Sequence, residues 1–160
     1  MTRTQRKRHE ECVLFLEDGF GESHADRLRD AGYKVETFVS KFRDPSTRLK
    51  KNSVKDPTIF KRCNEESWLL VTTDHEMVAT HIEEIKKCSE LAILATAHNR
   101  ASNFNVWIDA IIKAKTEVLR YYKNQERPCF AKIDSAGRIT KKKTITGVDT
   151  TRRDRPRERE

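Results

Sequence analysis

The sequence predicts an α/β protein: a three-layer α/β/α sandwich around a mainly parallel sheet. Two observations carry that expectation. Short apolar runs alternate along the chain with longer segments of helical periodicity, the signature of βαβ units joined by right-handed crossovers. Several of the runs are continuous rather than alternating, as expected of strands covered on both faces.

The elements follow in order. Cys12-Val-Leu-Phe-Leu16 is the first continuous run, and Gly19 and Gly21 mark the turn behind it. Residues 23–31 read as a helix with Ala25, Leu28 and Ala31 on one side, and Gly32 stands where a C-terminal cap is expected. Residues 33–39 alternate as a second strand, and residues 40–55 form a basic loop. Asp56-Pro57 then reads as an N-cap followed by proline at the first helical position. Residues 68–73 are the third strand, 76–87 a helix, and 91–95 the fourth strand. The longest helix is expected over residues 102–123, where Phe104, Ile108, Ile111, Ile112, Val118, Leu119 and Tyr122 form one apolar stripe. Residues 127–133 and 137–139 suggest a closing strand or hairpin. The expected organisation is a basic flexible arm (1–11), one folded domain (12–140) and a basic, disordered tail (141–160).

Composition narrows the function classes. The chain has 160 residues, with 33 Lys and Arg against 25 Asp and Glu, a net charge of +8. Such a balance suits a polyanionic partner, foremost nucleic acid, although a merely well-charged surface accounts for it too. No run approaches the length needed to span a membrane, and no secretory signal follows the basic start, so a cytoplasmic protein is expected. Cys12, Cys63, Cys88 and Cys129 are widely spaced without a CxxC pair, and read as buried small hydrophobes rather than zinc ligands. Trp68 and Trp107 read as packing residues. Patterns for dinucleotide, P-loop, serine-hydrolase and zincin chemistry are missing.

The candidate chemistry lies in acids at element ends. Leu69-Leu-Val-Thr-Thr-Asp-His-Glu76 is a strand that ends in Asp74 and Glu76, the place where open α/β sheets carry their sites. Glu17 and Asp18 close the first strand in the same way, and Asp56 opens a helix. Each has an ordinary explanation: turn chemistry for Glu17 and Asp18, an N-cap for Asp56, a helix-dipole partner for Glu76. Together they would suit Mg²⁺ or Mn²⁺, hard cations held by a few carboxylates and waters. Lys50, Lys51, Lys55, Lys61 and Arg62 are candidates for contacts to a nucleic-acid backbone.

The pattern resembles the PIN-like domain superfamily, in its short branch related to VapC-type toxins. The resemblance rests on Val13-Leu-Phe-Leu-Glu-Asp18, the helix and Gly32-Tyr-Lys-Val35 behind it, Asp56 at a helix start, Thr72-Thr-Asp-His-Glu76, and Arg127-Pro-Cys-Phe-Ala-Lys-Ile133. It implies an endoribonuclease using Mg²⁺ or Mn²⁺, the toxin of a toxin–antitoxin pair. Asp18 or Glu17, Asp56 and Asp74 would be the metal-binding acids, with Glu76 in support and Asn99 as a neighbour. RNA, a cognate antitoxin and a second copy of the chain are the implied partners. The sequence departs from the pattern in its Glu-Asp order at 17–18, in Glu76 where Asp is usual, and in its long basic loop. A catalytically silent nucleic-acid-binding module and a protein-interaction domain are the competing expectations.

Overall fold

The computed structural model of the protein describes residues 11–17, 19–38, 56–74, 76–97 and 104–145, without the side chain of Asp56. The continuous apolar runs have no polar face to show to water, so they become the buried parallel strands of a sheet. These are β1 (Val13–Leu16), β3 (Leu69–Thr72) and β4 (Ala92–Thr96), joined by β2 (Lys34–Thr37) and β5 (Cys129–Ile133). A sixth strand, β6 (Ile139–Thr144), returns antiparallel to β5. The order across the six-stranded sheet is β2-β1-β3-β4-β5-β6, with parallel pairing from β2 through β5.

Helices cover both faces. Leu14, Leu16, Leu69, Val71 and Leu94 pack against α1 (Glu22–Asp30), α5 (Phe104–Lys113) and α6 (Lys115–Asn124). Phe15, Leu70, Ile93 and Phe130 point the other way, against α2 (Asp56–Glu66), α3 (Met77–Thr80) and α4 (Ile82–Lys86). This is the period-two alternation of a pleated sheet, with an apolar residue on each face. Trp68 stacks on Phe15 with ring centroids 5.4 Å apart, and Trp107 is also buried, so both tryptophans pack. Three buried tyrosines satisfy their hydroxyls on backbone carbonyls: Tyr33 on Ile111 (2.7 Å), Tyr121 on Ile93 (2.8 Å) and Tyr122 on Ser67 (2.8 Å). Cys63, Cys88 and Cys129 are buried and Cys12 half-buried, all with free thiols.

The structure differs from the sequence expectation in three places. The helix expected over 102–123 is two, broken at Ala114, and that over 76–87 is two, broken at His81. Neither break carries glycine or proline. Helical bonding runs through both, from Ala114 N to Ala110 O (3.0 Å) and from His81 N to Met77 O (3.0 Å), so each break is a local departure from helical dihedrals rather than a loop. The third difference is at the C-terminal boundary. The fold does not stop at residue 140: β6 runs to Thr144 and Ile145 is buried, because the backbone of this exposed, lysine-rich strand still pairs with β5 and carries Ile145 back to the core. At the other end, Glu11 is already tied to the fold by an ion pair with Lys34. The basic arm 1–10, the loop 40–55 and the tail from 146 lie outside the described residues. Among the described residues no helix is long and apolar enough to cross a membrane.

Candidate functional site

The strand order fixes where a site can form. From β1 the chain crosses to β2 on one side, then returns to place β3 on the other side of β1. The direction of winding therefore reverses between β1 and β3. Loops leaving the carboxyl ends of these two strands part to opposite faces and leave a crevice, the usual ligand position in open α/β sheets.

Glu17 and Asp74 stand at that crevice. Glu17 follows β1, and its backbone N–H extends the pairing by bonding Val71 O (3.3 Å). Its carboxylate lies on the same face as Phe15 and accepts the hydroxyl proton of Thr72. Thr72 ends β3 and is fully buried. Its oxygen also accepts the backbone N–H of Asp74 at 2.9 Å. One threonine hydroxyl thus ties the acid after β1 to the acid after β3. Asp74 in turn accepts the Glu76 N–H on Oδ1 (3.1 Å), while its carbonyl accepts the Met77 N–H (3.2 Å). Asp74 thus carries ordinary turn bonding, which leaves its Oδ2 without a hydrogen-bond partner among the described residues.

The other candidates divide. Glu76 is exposed in the turn ahead of α3. Asp56 opens α2, and because that helix runs back against the direction of β3, its first turn falls at the carboxyl edge of the sheet with Glu17 and Asp74. Asp18, Lys50, Lys51, Lys55 and Asn99 lie outside the described residues. Lys61 is exposed on α2. Arg62 has a structural occupation: it pairs with Glu66 (3.4 Å) and lies over the Trp68 ring, 5.1 Å from its centroid. Among the described residues no three His, Cys, Asp or Glu side chains are arranged to hold a metal ion.

The sequence reading passed over three residues at this edge. Thr72 is the link just described, and its signal was a hydroxyl residue at the last buried position of a strand. Glu22, in the first turn of α1, takes the Thr37 hydroxyl (2.7 Å) on the opposite face of the sheet and pairs with Arg29 (3.4 Å). Asp134, after β5, is held below the usual carboxylate range, first by the Arg138 backbone N–H and also by the Arg138 guanidinium and the Ala136 N–H. Asp134 locks the β5–β6 turn. Glu17 and Asp74 remain the acids that meet at the β1/β3 crevice.

No protein-family model, no curated protein and no solved structure matches this chain.

Proposed function

We propose that the protein is a divalent-metal-dependent endoribonuclease of PIN-like type, the toxin of a toxin–antitoxin pair. The observation that supports this best is the Glu17–Thr72–Asp74 connection at the point where the sheet reverses its winding. Carboxylate and hydroxyl oxygens are the donors that Mg²⁺ and Mn²⁺ prefer, so the residues present suit such an ion. Glu17 and Asp74 would hold it, with Asp18 and Asp56 as further ligands and Glu76 in support. When bound, the ion lowers the pKa of a water and offsets charge on the phosphodiester. The chain's own part is positional. Thr72 fixes the rotamer of Glu17 and the backbone of Asp74 at once, so the two acids approach a phosphate already ordered. The net positive charge of the chain draws RNA toward an edge that would otherwise repel it.

The test incubates purified protein with mixed structured RNAs in Mg²⁺, Mn²⁺ or EDTA, beside Asp74→Asn. The expected result is metal-dependent cleavage that leaves 5′-phosphate ends and falls at least about a hundredfold in the variant. Wild-type protein that binds RNA but cuts nothing in either metal overturns the nuclease. It would favour a catalytically silent RNA-binding module, a reading supported by the commitment of Asp74 Oδ1 to its own turn.

A further inference from the structure

A second charged feature lies on the α2–α4 face of the sheet, away from the acids. A groove of about 380 Å³ opens between α3 and the β5–β6 edge, lined by Val78, Ala79, Phe130, Lys132, Lys141 and Lys143. Among the described residues none of the three lysine ammonium groups has an ion-pair or hydrogen-bond partner.

A register irregularity creates the cluster. Lys143 pairs with Phe130 and Thr140 with Lys132, so the residues between them on β6 outnumber those on β5 by one. Lys141 takes up the surplus in the left-handed region, with φ +53°. Strict alternation from Thr140 would turn Lys141 and Lys143 to the α6 face and Lys142 to this one. The bulge reverses that, and Lys142 instead lines a depression against α6 with Glu117 and Arg120. Lysines on an edge strand commonly serve to block edge-to-edge pairing. That role does not explain Lys132, which lies on the interior strand, nor the gathering of three like charges at a cost in repulsion.

The groove also shares a register row with Glu17. Beyond Leu16 and Val71, the next step of the sheet carries Glu17, Thr72, Ala95 and Lys132 side by side. Lys132 is thus three strand spacings from Glu17, about 14 Å at ~4.8 Å each. The helix that borders the groove, α3, begins three residues after Asp74.

We infer that Lys132, Lys141 and Lys143 form a track for the phosphate backbone of a single-stranded RNA whose neighbouring segment lies at the β1/β3 crevice. This deepens the proposed function and rests on it for the identity of the anion. Ammonium groups on long stems act as point charges without the fixed fork geometry of arginine, so they hold successive phosphates without reading bases. The residues between them are Phe130, which is buried, and the small apolar Val78 and Ala79; they offer no stacking platform. Sequence preference should therefore arise elsewhere.

The test measures binding of a fluorescein-labelled oligouridylate by anisotropy, in EDTA so that nothing is cut, at KCl from about 50 to about 200 mM. Lys132→Gln/Lys141→Gln/Lys143→Gln should weaken binding about tenfold. It should also lower the slope of log K against log salt by about 2, three contacts at about 0.7 each for a single strand. Lys142→Gln, on the same strand but the other face, should change affinity less than about twofold, and matched thermal unfolding confirms that both variants fold. Equal effects of the two substitutions overturn the track. So does a triple variant that binds RNA normally but loses binding to polyglutamate, which would assign the groove to an acidic protein. Asp74→Asn is read for metal-dependent cleavage and the lysine variants for metal-free binding, so the two proposals fail separately. Groove-dependent binding without cleavage removes only the nuclease, and cleavage with inert groove lysines removes only the track.

Discussion

Replacing Thr72 by valine should cost about 2 kcal/mol of stability, and the figure follows from what its hydroxyl does. The side chain is fully buried, donates to the Glu17 carboxylate and accepts the Asp74 N–H at 2.9 Å. A hydrogen bond to a charged group contributes roughly 1.5–3 kcal/mol and a neutral one about 1 kcal/mol. Valine keeps the volume and adds the apolar burial of one methyl group, which offsets about 0.8 kcal/mol. With a urea m-value of about 2 kcal/mol/M, the midpoint should fall by about 1 M. Circular dichroism through a urea series reads this directly, and Thr72→Ser, which keeps the hydroxyl, should lose less than half as much. A double-mutant cycle with Glu17→Ala then isolates the pair, with an expected coupling of about 1.5 kcal/mol. Coupling below about 0.5 kcal/mol would refute the idea that the Thr72 hydroxyl holds the Glu17 carboxylate.

Three further outcomes are expected. Leu70→Ala, at a fully buried position in the centre of the sheet, should destabilise by about 3 kcal/mol in the same urea assay, and a loss under about 1 kcal/mol would mean that the α2–α4 layer collapses freely onto the gap. His24 is pushed below its ordinary pKa of 6.5 by burial and by Arg27, and its Nδ1 accepts the Gly21 N–H (2.9 Å) at the start of α1. The unfolded chain therefore takes up the proton first: stability from neutral His24 is complete above pH 6.5 and declines as pH falls through the lower folded value. Thermal melts from neutral to mildly acid pH should show this decline in wild type and a smaller one in His24→Gln, and parallel curves would contradict it. Finally, burial pushes the Cys12 thiol up to about 12, opposed only by Arg127, and raises that of Cys63 as well. Ellman's reagent at pH 8 should therefore react slowly with native protein and promptly with all four thiols in urea; one thiol reacting at the rate of free cysteine would show a site the fold leaves open.

How much was readable beforehand depended on the range over which each residue is determined. Residues 69–72 and 92–96 announced themselves because a strand covered on both faces must be apolar throughout, which is a local property. The helix start at Asp56-Pro57 was equally local, since both residues have backbone reasons to stand there. The breaks at Ala114 and His81 had no local sign, since neither residue is glycine or proline and helical bonding continues through both. The acids at 17 and 74 were visible as strand ends, but their meeting depends on β1 and β3 being neighbours, a matter of strand order that no window of sequence contains. The Thr72 hydroxyl had the same obstacle, as its partner lies 55 residues away. The lysine groove was hidden differently: Lys141, Lys142 and Lys143 read as a charged tail, and only the bulge divides them between two faces.

The antiparallel return of β6 has a practical result. It carries the chain back along β5 until Ile145 N bonds Pro128 O (2.7 Å), at the edge where the parallel strands begin. Cys12, just ahead of β1, lies at that same edge. The described chain therefore enters at residue 11 and leaves at residue 145 on one edge, one strand length, about 15 Å, from the edge that bears Glu17 and Asp74. A fluorophore placed at position 11 should therefore leave the acidic crevice open, so binding by labelled and unlabelled protein should agree.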